Sequence, residues 1–443
     1  MIKTINEIRI KSIIKKIFYN ETKISEEDLY KSRVLSVFEG STARTVGTLT
    51  SGAFMAGYLK YLGADDQLNG IIGAIPVLAG MVMFLSPLFF ENRSRRKAPI
   101  VIGAFMARIL LSFLFFIPLF IKERITGLTY LTVSYFLGHL IISFIAPPTS
   151  TWQISLAPES IRGRYFGIRE SVVLGFVTII TLAMGRLLDS SEIRGQQDKG
   201  FLILFVVVFI LSIINFTFAC SIREPEAELS KGSIKKSDIF ILPVKDKIFR
   251  MIIGLTVLWN LGYQLSAPFI SVYMVSGLKL NYTFITLTGI FSAVASVINA
   301  RILGRIADKK SWLHISKICV EFQLTSQFLW FFVNQNNALY LIPLSQLLGG
   351  AAWGGINISL MNIQYKYSPD RMKTIYIGFS SAIGGAIGFA SSLVGSLLIT
   401  VLGDVKIKQF GFEAGNMQIL FALSGVLMIF CMAYVNLLKK KIK

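Results

Sequence analysis

Five formally charged side chains fall inside long apolar stretches of this sequence: Glu39, Arg44, Arg108, Arg186 and Glu321. An ionisable group at the centre of a bilayer costs roughly 2.5–3.5 kcal/mol or more unless it is paired or hydrated. Each is therefore a candidate functional residue, with structural pairing as the alternative. Arg108 lies near the middle of its stretch. Arg186 lies near an end, where a long side chain reaches water easily.

Neutral polar and aromatic side chains recur at helical spacing in three other apolar stretches. Residues four, seven or eleven positions apart share one face of a helix. Such groups suit a hydroxylated or amphipathic organic solute, and hydrogen bonding between helices is the alternative interpretation. The histidine in this set is a candidate proton relay, or a neutral hydrogen-bonded side chain. The residues are Tyr135 and His139, Asn260 and Gln264, and Gln346, Trp353 and Asn357.

The composition requires that these stretches cross a membrane. Of 443 residues, 53% are hydrophobic and 16% are charged, whereas a soluble domain carries about 25% charged residues. A span needs about twenty mostly apolar residues, and twelve stretches meet that length. The candidate spans lie near 35–61, 71–90, 99–121, 128–148, 171–188, 201–222, 249–276, 283–302, 314–333, 339–360, 375–402 and 415–438.

The basic residues predict the orientation of these spans. With the N-terminus inside, the inner loops hold 34 of the 45 Lys and Arg residues and the outer loops hold eight. Positive charge favours the cytoplasmic side, so both termini are predicted to be cytoplasmic, in a multi-pass protein of the cell membrane. The net charge of +20 then reflects topology and contact with anionic lipid. Nucleic acid is not expected as a partner.

The loops divide the chain into two related halves. We predict a cytoplasmic N-terminal segment (1–34), a six-helix half (35–222), a cytoplasmic linker (223–248), a second six-helix half (249–438) and a basic tail (439–443). Like residues recur at a constant offset of 211 in the fourth-to-fifth and tenth-to-eleventh loops, as expected of an internal repeat. They are Pro158, Glu159, Arg162, Tyr165 and Gly167 in the first loop and Pro369, Asp370, Lys373, Tyr376 and Gly378 in the second.

Two short inner loops carry an acid followed by basic residues. The second-to-third loop contains Glu91 and then Arg95, Arg96 and Lys97, and the eighth-to-ninth loop contains Gly304, Asp308 and Lys309. These loops resemble the G-x-x-x-D-[RK]-x-G-x-[RK]-[RK] motif of the major facilitator superfamily of secondary transporters, although Pro87 and Ser94 replace both glycines of the first copy and Ser311 replaces the second glycine of the other.

The resemblance implies an all-α fold of about twelve spans in two six-helix pseudo-repeats, with a pathway lined by the first, fourth, seventh and tenth spans. Glu39 and Arg44 would then lie in the pathway with the neutral polar set. Arg108 and Glu321, on peripheral spans, would brace the helices. The acid and basic residues of the two motif loops would form a cytoplasmic gate, with a role in membrane topology alone as the alternative. The implied function is alternating-access transport of a small organic solute, coupled to an ion gradient, with protons at Glu39 the favoured ion.

Other functional classes find little support in the sequence. A nucleotide-binding loop and the HExxH and His-x4-Asp patterns of membrane enzymes are absent, and the three cysteines lack metal-site spacing. We therefore expect no catalytic residues, bound metal or cofactor, and a monomer acting on a small molecule in the bilayer. A non-transporting sensor or a lipid flippase of the same fold is the alternative. The substrate and the direction of transport are left open.

Overall fold

A computed structural model describes residues 24–90, 93–116, 119–121, 123–225, 242–369, 372–403, 405, 407–409 and 412–441. The chain is built from helices, with one two-stranded antiparallel hairpin, Ile407–Gln409 with Phe412–Ala414. The helices are α1 (Glu26–Leu49), α2 (Gly52–Tyr61), α3 (Asp66–Gly80), α4 (Ser86–Phe90), α5 (Lys97–Phe113), α6 (Arg124–Ser155), α7 (Glu159–Ile193), α8 (Gln197–Ser221), α9 (Lys247–Gln264), α10 (Ala267–Val272), α11 (Tyr282–Lys309), α12 (Trp312–Phe332), α13 (Ala338–Lys366), α14 (Lys373–Leu402) and α15 (Asn416–Lys441).

Each of the twelve predicted spans corresponds to a helix or to an interrupted helix, which confirms the fold class. The first span is α1 followed by α2, broken at Thr50 and Ser51 before Gly52, whose φ is +55°. The second runs from α3 through a 3₁₀ turn at Met81–Leu85 into α4. The seventh runs from α9 through α10 into a π-helical turn at Tyr273–Gly277.

The spans differ in how apolar they are. Within the described residues, nine helical segments are long and apolar enough to cross a membrane. The other three predicted spans are the first (α1 and α2), the third (α5, 17 residues) and the ninth (α12). Those three carry four of the five intramembrane charges predicted above. The first and ninth spans are the less apolar ones and carry three of these charges, whereas α5 is apolar and falls short in length.

The fifth span is longer than the sequence indicates. The prediction began it at residue 171, but α7 starts at Glu159, directly after Pro158, and continues for 35 residues to Ile193. Proline readily precedes or opens a helix because its missing N–H would be unpaired there in any case. Arg169 and Glu170, which the prediction placed in a cytoplasmic loop, are therefore helical residues well inside α7.

The described residues form two compact units. The first contains the chain up to Thr50, residues Leu85–Met184 and the segment from Arg194 to 225; the second contains Ser51–Phe84, Gly185–Ile193 and the chain from residue 242 onward. The boundary between the units differs from the predicted division at 223–248. The reason is that α2, α3 and the end of α7 pack on helices of the second set of six.

In the first unit, α1 packs on α8, and α5 packs on both α6 and α8. Its core joins side chains from these helices and their ends. Trp152 links this core to the chain segment that follows α8. Its indole Nε1 donates a hydrogen bond to the carbonyl of Arg223 at 3.1 Å. The core residues are Phe90, Ile100, Val101, Ile145, Trp152, Leu156, Ala219 and Ile222.

In the second unit, the end of α7 is held against the start of α11. The carboxylate of Asp189 accepts hydrogen bonds from the backbone N–H groups of Tyr282 and Thr283 at 2.6 and 2.9 Å, and from the Thr283 hydroxyl at 2.5 Å. Free N–H groups and the helix dipole make a helix N-terminus a favourable place for a carboxylate. We name this contact the Asp189 cap.

Glycines set the closest helix contacts of the second unit. A Cβ added at Gly350 or Gly354 of α13 would collide with the backbone of α11, at Ser292 and Ser296 respectively. The two helices therefore meet backbone to backbone, as small residues four apart allow in membranes. On α14, Gly384 and Gly388 lie against Asn260 and Gln264 of α9.

The repeated loop motif makes equivalent contacts in the two halves. Tyr165 of α7 places its hydroxyl against Ser36 and the carbonyl of Arg33 in α1. Tyr376 of α14, 211 residues later, packs edge-on against Phe249 at the start of α9, with ring centroids 4.6 Å apart. Each tyrosine thus anchors the first helix of its own half, which supports the assignment of the motif to an internal repeat.

Replacing Gly354 by alanine is expected to lower the thermal stability of the protein. The new methyl group meets the α11 backbone, and overpacking of this kind costs about 1–3 kcal/mol. The matched control is Gly289→Ala in α11, where an added Cβ meets nothing within 4 Å and the gain in helix propensity is about 0.5–1 kcal/mol. The apparent melting temperatures of the two purified variants measure the difference. Equal stabilities would refute the backbone contact.

Candidate functional site

A carboxylate lies between two arginines inside the first unit. Glu39 of α1 has Arg108 of α5 at 3.8 Å (Oε1 to Nη2) and Arg169 of α7 at 4.0 Å (Oε2 to Nη2). The three side chains are 12, 13 and 10% exposed. Neither arginine lies within hydrogen-bond distance of the carboxylate, so the attraction is mainly Coulombic. We call these three residues with Gln153 and Asn215 the Glu39 cluster.

Two amides complete the cluster with hydrogen bonds. Gln153 of α6 donates from Nε2 to Glu39 Oε2 at 3.3 Å. Asn215 of α8 donates from Nδ2 to Glu39 Oε1 at 3.4 Å, to the Glu39 carbonyl at 2.8 Å and to the Thr42 hydroxyl at 2.9 Å. Five helices thus converge on one carboxylate, since α1, α5, α6, α7 and α8 each supply a residue. A change in the charge of Glu39 alters contacts to all of them.

A second pair of charges continues the cluster to a more exposed position. Arg169 Nη1 lies 3.3 Å from Glu170 Oε1, and Glu170 Oε2 accepts from Arg44 Nη1 at 2.5 Å. Arg44 and Glu170 are 57 and 41% exposed, so this pair contributes little stability. Arg44 therefore pairs away from Glu39, as its five-residue separation along α1 indicates. The charged side chains of the cluster and of this pair carry three positive and two negative charges: Arg108, Arg169 and Arg44, and Glu39 and Glu170.

Arg169 and Glu170 were missed by the sequence analysis because they were assigned to a loop. The usable signal was Pro158 followed by a continuous helical stretch. A helix that begins at residue 159 places Arg169 about 15 Å along its axis, which is too deep for a loop residue. The predicted bracing residue Arg108 lies against Glu39. Glu321, the other one, lies in α12, where it pairs with Lys317 at 3.5 Å and is 45% exposed.

Tyr135 and His139 of α6 lie together but outside the Glu39 cluster. Tyr135 is buried, and its ring centroid lies 4.4 Å from that of His139, edge-on. The Nε2 atom of His139 is buried and has no hydrogen-bond partner among the described residues. The imidazole therefore makes an aromatic contact with Tyr135, and its role as a proton relay stays a prediction.

The second half holds a neutral counterpart of the Glu39 cluster. Gln364 of α13 donates to the hydroxyls of Thr256 in α9 and Ser380 in α14, at 3.2 and 2.9 Å. Gln364 and Ser380 follow Gln153 and Arg169 by the same 211 residues that relate the loop motifs. The repeat thus places a glutamine at equivalent positions in both halves, where it donates to a carboxylate in the first half and to two hydroxyls in the second.

Three aromatic rings stack beside the predicted pathway residues of the second half. Trp353 of α13 lies over Tyr263 of α9 with centroids 4.9 Å apart, and Trp259 stacks on Tyr263 at 5.9 Å. Trp259 is buried, whereas Trp353 is 39% exposed. We name this group the aromatic platform.

The predicted amides of the second half differ in their surroundings. Gln264 is buried and faces Gly388 of α14, and Asn260 donates to the Thr256 carbonyl at 2.9 Å. Asn357 is exposed and donates to the carbonyl of Trp353 at 3.3 Å, while Gln346 is half-buried on the same helix. Asn357 and Trp353 are therefore the accessible polar and aromatic groups of this set.

The predicted gate residues are partly described. Glu91 lies outside the described residues, and Arg95 is exposed. The backbone N–H groups of Arg96 and Lys97 donate to Glu224, at 2.7 and 3.0 Å, and the Lys97 ammonium donates to the Cys220 carbonyl at 2.6 Å. Glu224, in the segment after α8, therefore caps the start of α5. The backbone of Asp308 and Lys309 forms the last turn of α11.

Burial shifts the pKa values of two charged side chains at this cap, those of Glu224 and Lys97. It raises the pKa of Glu224 above its ordinary value, although the N–H groups of Arg96 and Lys97 favour the charged form. It lowers the pKa of Lys97 to about 8. The carboxylate and the ammonium are therefore both costly to keep charged away from water.

A metal centre finds no support in the described part of the chain, where no group of three His, Cys, Asp or Glu side chains lies together. The described residues instead offer buried ion pairs, amide hydrogen bonds and an aromatic surface.

Comparison with known proteins decides the family. The family model described as Major Facilitator Superfamily matches residues 40–392. The chain belongs to this superfamily. It is thus a multi-pass membrane protein of a transporter family, as the sequence predicted. Comparison with curated proteins finds no match.

Solved structures with the same fold are transporters of differing description. A nucleoside transporter, NupG, aligns with a TM-score of 0.68 at 13% identity, covering 93% of this chain and 99% of the other. A D-xylose–proton symporter aligns at 0.65 and 12%, covering 91 and 97%. A POT family transporter in complex with a thioalcohol-conjugated peptide aligns at 0.64 and 12%, covering 94 and 96%. At such identities the likeness concerns the fold.

Removing the carboxylate that caps α5 is expected to destabilise the protein. Glu224→Ala leaves the N–H groups of Arg96 and Lys97 without their buried acceptor, which costs about 1–3 kcal/mol. The exposed Glu192→Ala is the control. Apparent melting temperatures provide the measurement.

The raised pKa of Glu224 also predicts a pH dependence for this loss. The folded protein binds the Glu224 proton more tightly than the unfolded chain, so stability falls as pH rises from the ordinary glutamate value of 4.5 towards the raised one. The advantage of the wild type over Glu224→Ala is therefore larger near pH 4.5 than at pH 7. The reverse order would show that Glu224 acts chiefly as a charged cap.

Proposed function

We propose that this protein is a proton-coupled secondary transporter that moves a small organic solute across the cell membrane by alternating access. The observation that carries the proposal is the Glu39 cluster, in which one carboxylate of α1 contacts two arginines and two amides from four other helices. Protonation of Glu39 removes its attraction to Arg108 and Arg169, and deprotonation restores it. A proton and a rearrangement of the first half are thereby linked.

The neutral counterpart in the second half supports a coupling role over a purely architectural one. Gln364, Thr256 and Ser380 join equivalent helices with hydrogen bonds alone. Helix packing in this fold therefore does not require buried charge at that position. Charges that carry a desolvation cost and that packing does not need are candidates for function.

The aromatic platform supports a substrate with a flat or apolar ring face. Trp353 offers part of its ring to a ligand, and Asn357, one turn further along α13, offers an amide nearby. Aromatic rings stack on flat faces of organic molecules, and amides select hydroxyl or amide groups. We propose an organic solute carrying both features. The structurally similar transporters of a nucleoside, of D-xylose and of peptides give a first panel of compounds.

Alternating access requires contacts that form in one state and break in the other. The Asp189 cap has this character, because a single carboxylate holds the end of α7 on the start of α11 through three hydrogen bonds. On the orientation that the basic residues predict, it lies on the outer side. We propose that the cap is present when the outer side is closed and absent when it is open.

Glu39→Gln is expected to abolish substrate accumulation driven by a pH gradient while leaving substrate exchange intact. The glutamine amide has the size of the acid and still accepts the hydrogen bond from Asn215, but it does not gain or lose a proton. Purified protein in proteoliposomes is assayed with radiolabelled uridine, D-xylose and dialanine, with and without a pH gradient. The control is Glu27→Gln, an exposed residue paired with Lys31.

Two results of that assay would count against the proposal. Unchanged dependence on the pH gradient in Glu39→Gln would remove the coupling role of Glu39. If the wild type moves none of the compounds in either direction, with or without a pH gradient, the transport proposal loses its support. A sensor, or a flippase assayed with labelled lipid, then becomes the better description.

Trp353→Ala is expected to raise the KM for the transported compound about 2- to 12-fold, since stacking contributes about 0.5–1.5 kcal/mol beyond burial. Trp353→Phe retains part of the aromatic surface, and its KM is expected to lie between those of Trp353→Ala and the wild type. Tyr340→Ala, an exposed aromatic residue at the other end of α13, is the control. Initial rates of uptake measure KM, and equal KM values in all four proteins would exclude stacking on the platform.

A further inference from the structure

A cavity of about 210 Å³ lies inside the first unit, next to the Glu39 cluster. It is bounded by α5, α6 and the end of α8, with Glu39 of α1 at one side. Its volume exceeds the roughly 150 Å³ of an engineered cavity that holds benzene. It is smaller than the roughly 300–1,000 Å³ of pockets for drug-sized ligands. Its size therefore suits a small organic molecule.

The lining of the cavity is amphipathic. Most of its wall is aliphatic, including Ile100, Val101 and Ile145. The polar groups are Glu39, Arg108, Gln153, Thr149 and Ser150. The hydroxyls of Thr149 and Ser150 donate to the carbonyls of Ile145 and Ala146 in the preceding turn, so arginine and glutamate dominate the electrostatics. A ligand that fits has one charged end and an apolar body.

Two prolines account for the open space beside α6. Pro147 and Pro148 lie within the helix, between the lining residues Ile145 and Thr149. Each proline removes a backbone hydrogen bond and disturbs the preceding turn. The cavity wall is therefore built at a point where regular packing of α6 is interrupted.

The arginine at the polar end offers a partner to an anion. Glu39 and Arg108 are the charged residues that line the cavity, and Glu39 is also attracted to Arg169, which is shared with Glu170. The guanidinium of Arg108 makes no hydrogen bond with any described residue, since Glu39 lies 3.8 Å away. A buried guanidinium without hydrogen-bonded partners is costly. A carboxylate binds such a group through two parallel hydrogen bonds.

We propose that this cavity binds a short aliphatic carboxylate, with its carboxylate on Arg108 and its chain along the aliphatic wall. From Ile100 to Arg108 the lining follows α5 for eight residues, or about 12 Å, a length that favours a chain over a compact ring. Glu39 keeps Arg169, Gln153 and Asn215 when the ligand takes Arg108. The bound anion and Glu39 thus compete for one arginine, which makes the cavity a regulatory site for the Glu39 cluster.

Equilibrium binding to the purified full-length protein in detergent tests the proposal without any flux or gradient. The probe is radiolabelled octanoate, competed with unlabelled octanoate, octanamide or palmitate. We expect one saturable site from which octanoate displaces the label. Octanamide is expected not to compete, because it lacks the charge that Arg108 recognises. Displacement by octanamide as effective as by octanoate would overturn the carboxylate assignment.

Two variants locate the site. Ala104→Leu fills the cavity between Val101 and Arg108 on α5 without touching a charge, and Arg108→Gln removes the anion partner. Each is expected to weaken octanoate binding at least tenfold. The matched controls, Ala183→Leu and Arg164→Gln, make the same changes at exposed positions of α7 and are expected to bind as the wild type does. Should Arg108→Gln fail to fold, Ala104→Leu carries the test alone.

The remaining outcomes are also decisive. No saturable octanoate binding to the wild type, or full binding to Ala104→Leu, would overturn the proposal and leave a cavity that holds water alone. Binding of palmitate without binding of octanoate would assign the space to a lipid chain and refute the short ligand. Because the binding assay measures no transport, a negative binding result does not affect the transporter proposal. A negative transport result likewise does not affect the proposal of a carboxylate site.

Discussion

The carboxylate of Glu39, almost withdrawn from water, depends on two arginines and two amides that come from four other helices. A buried carboxylate whose partners are removed costs about 3–5 kcal/mol, so the helices of the first half are constrained to bring those partners together. The length of α7 follows from this requirement, because a helix starting at residue 171 would not carry Arg169. The polar character of α1 has the same origin, since α1 contributes the carboxylate itself. One interaction thus explains why a helix as polar as α1 belongs to the first half.

The two halves show how one architecture serves two purposes. At equivalent positions, Gln153 meets a carboxylate and Gln364 meets two hydroxyls. Hydrogen bonds between hydroxyl and amide groups hold helices together without strong dependence on pH. An ion pair in a medium of low dielectric is sensitive to one proton. The internal repeat therefore places a charged contact at the glutamine of the first half and a neutral contact at that of the second, which also carries the aromatic platform.

The sequence predicts the membrane topology well because its signals are local: apolar length, basic loops and a repeated motif. The candidate charges Glu39 and Arg108 also stand out locally, as charges in apolar stretches. Their proximity does not, because it depends on how α1 packs against α8 and α5, a contact between distant parts of the chain. Arg169 and Glu224 escaped notice for a further reason. Both lie where polar residues are ordinary, one near a loop and one at the edge of a linker, and only the packing shows that they are buried.

The backbone contact between α11 and α13 has a mechanical consequence. Where Gly350 and Gly354 touch Ser292 and Ser296, no layer of deformable side chains separates the two helices, so we expect the pair to move as one rigid body. The pair begins at Tyr282 and Thr283, whose N–H groups donate to the Asp189 carboxylate. Trp353 lies near its middle, one residue from a contacting glycine. A displacement of the capped end is therefore expected to change the orientation of the indole ring.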